Sequence, residues 1–309
     1  MIVISVDSSG MVIRRALAAA LLALSAGLAG CDKATGASGG GKLDVVAAFY
    51  PLQYVSERIG GDRVKVTNLV APGAEPHDLE LQPAQAVELA GADLVVYLKG
   101  FQPEVDKAID QQGDRKAFDV ATVEPLADPP AGIESETPKD PHVWLDPIRL
   151  AAIADKLTDR LVQLDKGHDT DLRDRAKALR ADLETIDKEY AQGLATCQRH
   201  EIVTSHAAFG YLAKRYHLTQ IPISGVSPEE EPTPQHLAQV AKLAKEKGVT
   251  TIFFETLVSP KVAEALAKEV GAKAEVLDPI EGIEEGSKAD YLSVMRDNLS
   301  KLKPALGCT

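Results

Sequence analysis

The segment from Leu172 to Leu194 sets the tightest limit on what this chain can fold into. Its apolar residues Leu172, Ala176, Leu179, Leu183, Ile186, Tyr190 and Leu194 recur three or four apart, and the positions between them are mostly charged or polar. At about 1.5 Å per residue such a helix is roughly 35 Å long. One narrow stripe on so long a helix predicts a strut lying along two lobes, not a core helix buried all round. A coiled coil is the weaker reading, since the segment holds few heptads and has no second copy.

On both sides of the strut, short apolar runs alternate with amphipathic ones. Before it, Leu43 to Phe49, Val64 to Val70, Asp93 to Leu98 and Lys116 to Val120 read as strands. Pro51 to Ile59, Pro83 to Ala90 and Pro103 to Gln111 read as the helices between them, and Pro147 to Leu164 as a further helix with proline at its first position. After it, strands are expected at Glu201 to Thr204, Gln220 to Ile223, Thr250 to Glu255 and Ala274 to Leu277, with helices at Ala207 to Tyr216, Gln235 to Lys247, Pro260 to Val270 and Asp290 to Lys303. Strand-helix alternation argues for parallel sheets. The fold class is therefore α/β: an N-terminal lobe over 43–167, a linking helix over 168–196 and a C-terminal lobe over 197–309.

The start of the chain is not part of that fold. Arg14-Arg15 followed by the apolar run Ala16 to Gly30 has the charged and apolar regions of a secretory signal, and the run is too short to span a membrane. Residues 1–30 are thus a signal peptide, with Met11 as an alternative start. The run ends in Leu28-Ala29-Gly30-Cys31, which resembles a bacterial lipobox and implies a lipid on Cys31; an ordinary cleavage site beside a chance cysteine is the competing reading. Residues 31–42 are small, polar and glycine-rich, the composition of a flexible tether. The expected location is the cell membrane, lipid-anchored on its extracytoplasmic face. With Cys31 lipidated, Cys197 and Cys308 remain as one pair in an oxidising compartment, where a disulfide is the default and a two-cysteine metal site the rival. The net charge of −12 argues against nucleic acid and against an anionic ligand.

Chemistry concentrates in four stiff loops. His142 lies between two Asp-Pro steps in Asp140-Pro141-His142-Val143-Trp144-Leu145-Asp146-Pro147, where each proline disfavours helix in the residue before it. His77 sits in Pro72-Gly73-Ala74-Glu75-Pro76-His77-Asp78, His206 in Thr204-Ser205-His206-Ala207, and Asp278 in Leu277-Asp278-Pro279. Three imidazoles and a carboxylate outside the carboxyl ends of strands suit a zinc ion. Glu75 is the competing fourth ligand. Asp78, Glu75, Asp146 and Glu255 are the candidates to hold the second ring nitrogen of a histidine. His168, His200, His217 and His236 lack the proline-flanked setting and read as surface residues. Ser227-Pro228-Glu229-Glu230-Glu231-Pro232 is a stiff acidic loop that lines the cleft, faces a partner protein or forms a solvated turn.

Ala71-Pro72-Gly73-Ala74-Glu75-Pro76-His77, His142 to Pro147, Thr204 to Tyr211 and Leu277-Asp278-Pro279-Ile280-Glu281-Gly282, met in this order, resemble the zinc and manganese solute-binding lipoproteins of bacterial ABC transporters. The resemblance implies two α/β lobes joined by one long helix, with the metal in the cleft between them. It also implies His77 and His142 as ligands from the first lobe, His206 and Asp278 from the second, and a membrane permease as partner of a monomeric carrier. Manganese-type relatives place a glutamate where His206 stands, and imidazole favours zinc. Many zinc relatives carry a histidine-rich loop ahead of the second ligand; Leu126 to Asp140 has Glu134 and Glu136 and no histidine.

The expected function is capture of Zn(II) as a transported substrate and its delivery to the permease, without catalysis. The alternatives are a manganese-binding member of the same family, a zinc-dependent hydrolase and a surface adhesin. Against the hydrolase stand the lack of a His-Glu-x-x-His helix and of a serine or cysteine nucleophile motif.

Overall fold

The computed structural model describes residues 41–130, 133 and 138–309, and the folded unit runs from Lys42 to Thr309. The expected signal peptide, the lipidated Cys31 and the tether up to residue 40 lie outside the described residues, as do Glu134 and Glu136.

The first lobe runs β1 (Leu43–Ala47), α1 (Tyr50–Gly60), β2 (Val64–Asn68), α2 (Pro83–Gly91), β3 (Leu94–Tyr97), α3 (Pro103–Gln112) and β4 (Ala117–Asp119). Two helices follow, α4 (Pro147–Leu164) and α5 (Asp169–Gly193). The second lobe runs β5 (Glu201–Thr204), α6 (Gly210–Arg215), β6 (Thr219–Pro222), α7 (Pro234–Glu246), β7 (Thr251–Phe254), α8 (Lys261–Val270), β8 (Lys273–Val276) and α9 (Tyr291–Leu306).

Each lobe holds one four-stranded parallel sheet, ordered β2-β1-β3-β4 and β6-β5-β7-β8. Val45 lies opposite Val66 and Leu94 in the first sheet, and Val203 opposite Ile221 and Ile252 in the second. Parallel strands need covered faces, and all four residues of β3 are buried. The proline-led starts work as expected: α1, α2, α3, α4 and α7 carry proline in their first positions, where its missing N–H costs nothing. Side chains supply the other caps. Asp146 accepts from the backbone of Ile148 and Arg149, Gln82 and Gln85 form a reciprocal box, and Asp290 pairs with Ser293 in the same way.

Helix α5 buries Leu172, Ala176, Leu179, Leu183, Ile186 and Tyr190, the stripe read from the sequence. It packs against α4 and α1 on one side and α9 on the other. Fully burying a side chain such as Leu179, Leu183 or Ile186 contributes about 1.5–3 kcal/mol each. The flanking ion pairs Arg58–Asp182, Arg215–Asp187 and Arg296–Glu189 are partly exposed and add at most about 1 kcal/mol apiece. The strut is therefore held by its apolar stripe. One apolar cluster continues through both lobes, from Val45 and Trp144 through Tyr190 to Leu277 and Tyr291, while a smaller one lies between the second sheet and α7 and α8.

Two departures from expectation matter for the site. Helix α6 starts at Gly210 rather than Ala207, and the loop before it is tied to the segment after β6 by the Ala207 N–H, which donates to the carbonyl of Gly225 at 2.8 Å. Strands β1, β2 and β3 also stop one or two residues early, freeing the chain to turn outward at their carboxyl ends. Among the described residues no helix is long and apolar enough to cross a membrane.

Cys197 and Cys308 form a disulfide across 111 residues, tying the end of α9 to the segment after α5. Replacing both cysteines by alanine should lower stability by about 2–5 kcal/mol. Urea denaturation under non-reducing conditions checks this, and an unchanged midpoint would show that the surrounding contacts suffice.

Candidate metal centre

Four buried side chains meet where the two lobes touch: His77, His142, His206 and Glu281, with one ligand atom of each lying within 4.8 Å of all the others. Each is fixed by its own loop.

His142 depends on Asp140. One carboxyl oxygen, Oδ1, accepts from both the backbone N–H of His142 at 3.0 Å and its ring Nδ1 at 2.8 Å, leaving Nε2 to face the cluster. The loop is held further by Trp144, whose indole N–H donates to the carbonyl of Pro279 at 2.7 Å and whose own carbonyl accepts from the Tyr291 hydroxyl at 2.6 Å. These bonds join the loop after β4 to the second lobe.

His77 follows a turn whose Gly73 has φ +81°, a conformation that favours glycine, and whose Gly73 N–H donates to the carbonyl of Ile283 in the other lobe at 2.8 Å. Its backbone N–H donates to Glu75 Oε2 at 2.8 Å, and its ring packs edge-on against Phe101. His206 is held through its carbonyl, which accepts from the Thr204 hydroxyl and the Gln220 amide at 2.7 and 2.9 Å. Its Nδ1 meets Glu255 Oε1 at 2.8 Å, and that same oxygen accepts from the Ser205 hydroxyl.

Glu281 takes the fourth corner, and Asp278, expected there from the sequence, does not join the group. Asp278 Oδ1 accepts the backbone N–H of Ile280 at 2.7 Å and Oδ2 accepts from the Thr256 hydroxyl at 3.0 Å. Asn298 clamps its backbone from both sides. The turn so formed puts Ile280 at φ +58° and swings the next residue, Glu281, toward the histidines. Asp278 therefore builds the turn, and Glu281 presents the carboxylate.

The distances have the scale of a metal polyhedron. Glu281 Oε1 lies 3.0 Å from His142 Nε2, 3.1 Å from His206 Nε2 and 3.5 Å from His77 Nε2, and the Nε2 atoms of His142 and His206 are 3.3 Å apart. A tetrahedron with ligands at about 2.0–2.2 Å from its centre has edges of about 3.3–3.6 Å. His77 Nε2 is buried and makes no hydrogen bond, which fits a nitrogen kept for a cation.

Electrostatics sorts the carboxyl groups. Burial works against charge on Glu281, but the facing His206 and His77 outweigh it and hold its carboxyl well below the usual range. Burial, and then the negative charge of Glu281, push Glu75 up to about 9, so Glu75 is neutral at pH 7. Burial lowers His77. It also opposes charge on His142 and His206, yet the carboxylates beside them win: Asp140 and Glu281 raise His142, and Glu255 and Glu281 raise His206 well above 6.5.

Of the candidates for orienting a ring, Glu255 serves His206, Glu75 braces the backbone of His77, Asp146 caps α4, and Asp78 is exposed. Glu281 and Asp140 were missed as functional groups. The available signal was the Asp-Pro step itself: an aspartate before proline can bond the N–H two residues on, so its carboxyl is already in use, as at Asp140 and Asp278. Among the control histidines, His168 pairs with Asp165 and His236 with the carbonyl of Pro222, both half-buried, whereas His200 and His217 are exposed.

Residues 45–305 match the family described as ZnuA, zinc-uptake complex component A, periplasmic. The chain is 34% identical to the high-affinity zinc uptake system protein ZnuA of Bacillus subtilis, over 94% of this chain and 96% of that protein. Among solved structures it is similar to the laminin binding protein Lmb of Streptococcus agalactiae, described as a bifunctional protein with adhesin and metal transporting activity. That pair has a TM-score of 0.76 and 34% identity, covering 85% of this chain and 99% of the other. It is also similar to Zn(II)-bound AdcA of Streptococcus pneumoniae, with a TM-score of 0.74 and 33% identity over 86% of this chain but only 58% of that one. These matches, and a site of three imidazoles and one carboxylate between two parallel-sheet lobes, mean that the chain belongs to the ZnuA family of periplasmic zinc-uptake components.

Proposed function

We propose that this protein captures Zn(II) through His77, His142, His206 and Glu281 and delivers it to the permease of an ABC transporter. The observation that carries the reading is the buried group of three imidazoles and one carboxylate, two donors from each lobe, with Glu281 Oε1 3.0, 3.1 and 3.5 Å from the three Nε2 atoms and two of those nitrogens 3.3 Å apart, near the edge length of a zinc tetrahedron. Imidazole nitrogens select zinc over manganese, which prefers oxygen. Four protein ligands leave no open coordination position for an activated water, so the arrangement suits holding an ion rather than hydrolysis. Lipid anchoring through Cys31 on the extracytoplasmic face, and action as a monomer, belong to the same proposal; the disulfide agrees with an oxidising compartment.

Competition with a chromophoric chelator, backed by elemental analysis, tests the ligand set. Glu281→Ala should weaken zinc binding about 100-fold or more, beyond the roughly 10–100-fold typical of losing a group that only supports a ligand. Asp278→Ala acts through the turn and should cost about tenfold. A full-strength site in Glu281→Ala would move the fourth ligand elsewhere.

Zinc must compete with protons for His142 and His206, and the neighbouring carboxylates raise both imidazoles above their usual range. Affinity should accordingly fall as pH falls, with the decline already under way above 6.5 and steeper below it. Isothermal titration between about pH 8 and 5.5 reads the slope; a flat profile would exclude these imidazoles as ligands.

A further inference from the structure

Asp140 belongs to the first lobe, but its position is set by the first two residues of α6 in the second. The hydroxyl of Tyr211, a buried side chain, donates to the Asp140 carbonyl at 2.9 Å and accepts the N–H of Ala127 at 2.7 Å. The Asp140 N–H in turn donates to the carbonyl of Ala127 at 2.9 Å. Beside Tyr211, Gly210 leaves room for the Asp140 carboxyl: a Cβ at this position would stand 2.7 Å from Asp140 Oδ2, while its next neighbours are 4.0 Å away. The backbone of Gly210 is helical, so its conformation does not call for glycine.

We infer that Gly210 and Tyr211 are positioning residues for zinc binding: they set the Asp140 carboxyl so that His142 presents Nε2 to the ion. This rests on the reading of His142 as a zinc ligand. A methyl group at Gly210 must push Oδ2 away, and because the carboxyl is rigid and planar, Oδ1 turns with it. Oδ1 carries both bonds to His142, so the ring loses the contact that fixes its orientation and tautomer. The displaced atom is the end of a side chain and the helical backbone of Gly210 accepts alanine, so the cost falls on the two hydrogen bonds that buried His142 gives Asp140, the same bonds that Asp140→Ala removes.

A double-mutant cycle on the full mature chain tests this, with zinc as the probe and a chelator as competitor. Gly210→Ala and Asp140→Ala should each weaken binding about tenfold or more. The double variant should be no weaker than Asp140→Ala alone, because the carboxyl that the methyl group displaces is gone. The metal-free melting temperature of Gly210→Ala should be no lower than that of Asp140→Ala, which loses the same bonds. Wild-type affinity in Gly210→Ala, losses that multiply in the double variant, or a metal-free melting temperature below that of Asp140→Ala would each overturn the inference. If Gly210→Ala does not fold, Tyr211→Phe replaces it in the same cycle: a loss that vanishes in the Asp140→Ala background supports the inference, and one that multiplies overturns it. A His142→Ala arm separates the two levels. Undiminished zinc binding there would remove the ligand assignment itself, whereas a large loss there with no effect of Gly210→Ala would remove only the positioning role.

Discussion

A single carboxyl oxygen, Asp140 Oδ1, receives two hydrogen bonds from His142, one from the backbone and one from the ring. The same backbone geometry recurs at every Asp-Pro step discussed above: Asp146 accepts from Ile148 and Asp278 from Ile280, again two residues on. Proline holds the aspartate in extended or turn conformation, and the aspartate closes the turn onto the next free N–H. The result is a stiff corner, and in each case something important follows the corner: a histidine of the cluster, helix α4, and the carboxylate of Glu281. Because the ring nitrogens and carboxyl groups are buried, leaving any of them unpaired would cost about 1–3 kcal/mol or more. The pairing therefore fixes the side chains as firmly as the turns fix the backbone.

Stiff loops place donors accurately only if the lobes that carry them also keep their places. Here the apolar cluster runs through both lobes, and bonds such as Trp144 to Pro279, Tyr291 to Trp144 and Gly73 to Ile283 cross between them. A strut packed along its apolar stripe and a shared core make wide hinge opening expensive. A cation held by two donors from each lobe adds to the same effect, since any ligand that binds only the folded form stabilises it by mass action.

Most of the scaffold was legible from local rules. Proline at helix starts and the 3–4 spacing of the Leu172 stripe are short-range signals, and the corresponding helices fall within a few residues of expectation. Three of the four cluster residues were legible for the same reason, because His77, His142 and His206 each sit in a stiff loop after a strand. The fourth was not. Asp278 has the proline and the strand-end position that mark a rigid polar group, but its oxygens are occupied by Ile280 and Thr256, whereas Glu281 owes its direction to a positive φ at Ile280 that an isoleucine rarely adopts. Thr256 and Asn298, which hold that turn, come from distant parts of the chain. Asp140 was passed over because its partner role depends on which way a ring turns, a matter settled by Tyr211 and Gly210 from the other lobe.

The charge balance of the site bears on how an ion can be held tightly and still be released. The imidazoles hold the Glu281 carboxyl below its usual range, and Glu281 with the outer carboxylates Asp140 and Glu255 raises His142 and His206, so protons compete with the cation for these nitrogens. Glu281 Oε1 lies 3.0 and 3.1 Å from the Nε2 atoms of His142 and His206, close enough to pair with either ring when no cation is bound. His77 Nε2 makes no hydrogen bond, so it is the donor with the most to gain from the ion. Exchange is then between a divalent ion and protons in one preformed cage, and the free energy of binding reflects the difference between the two states. The outer carboxylates act on both sides of that difference: they make the ring nitrogens better ligands and also better proton acceptors.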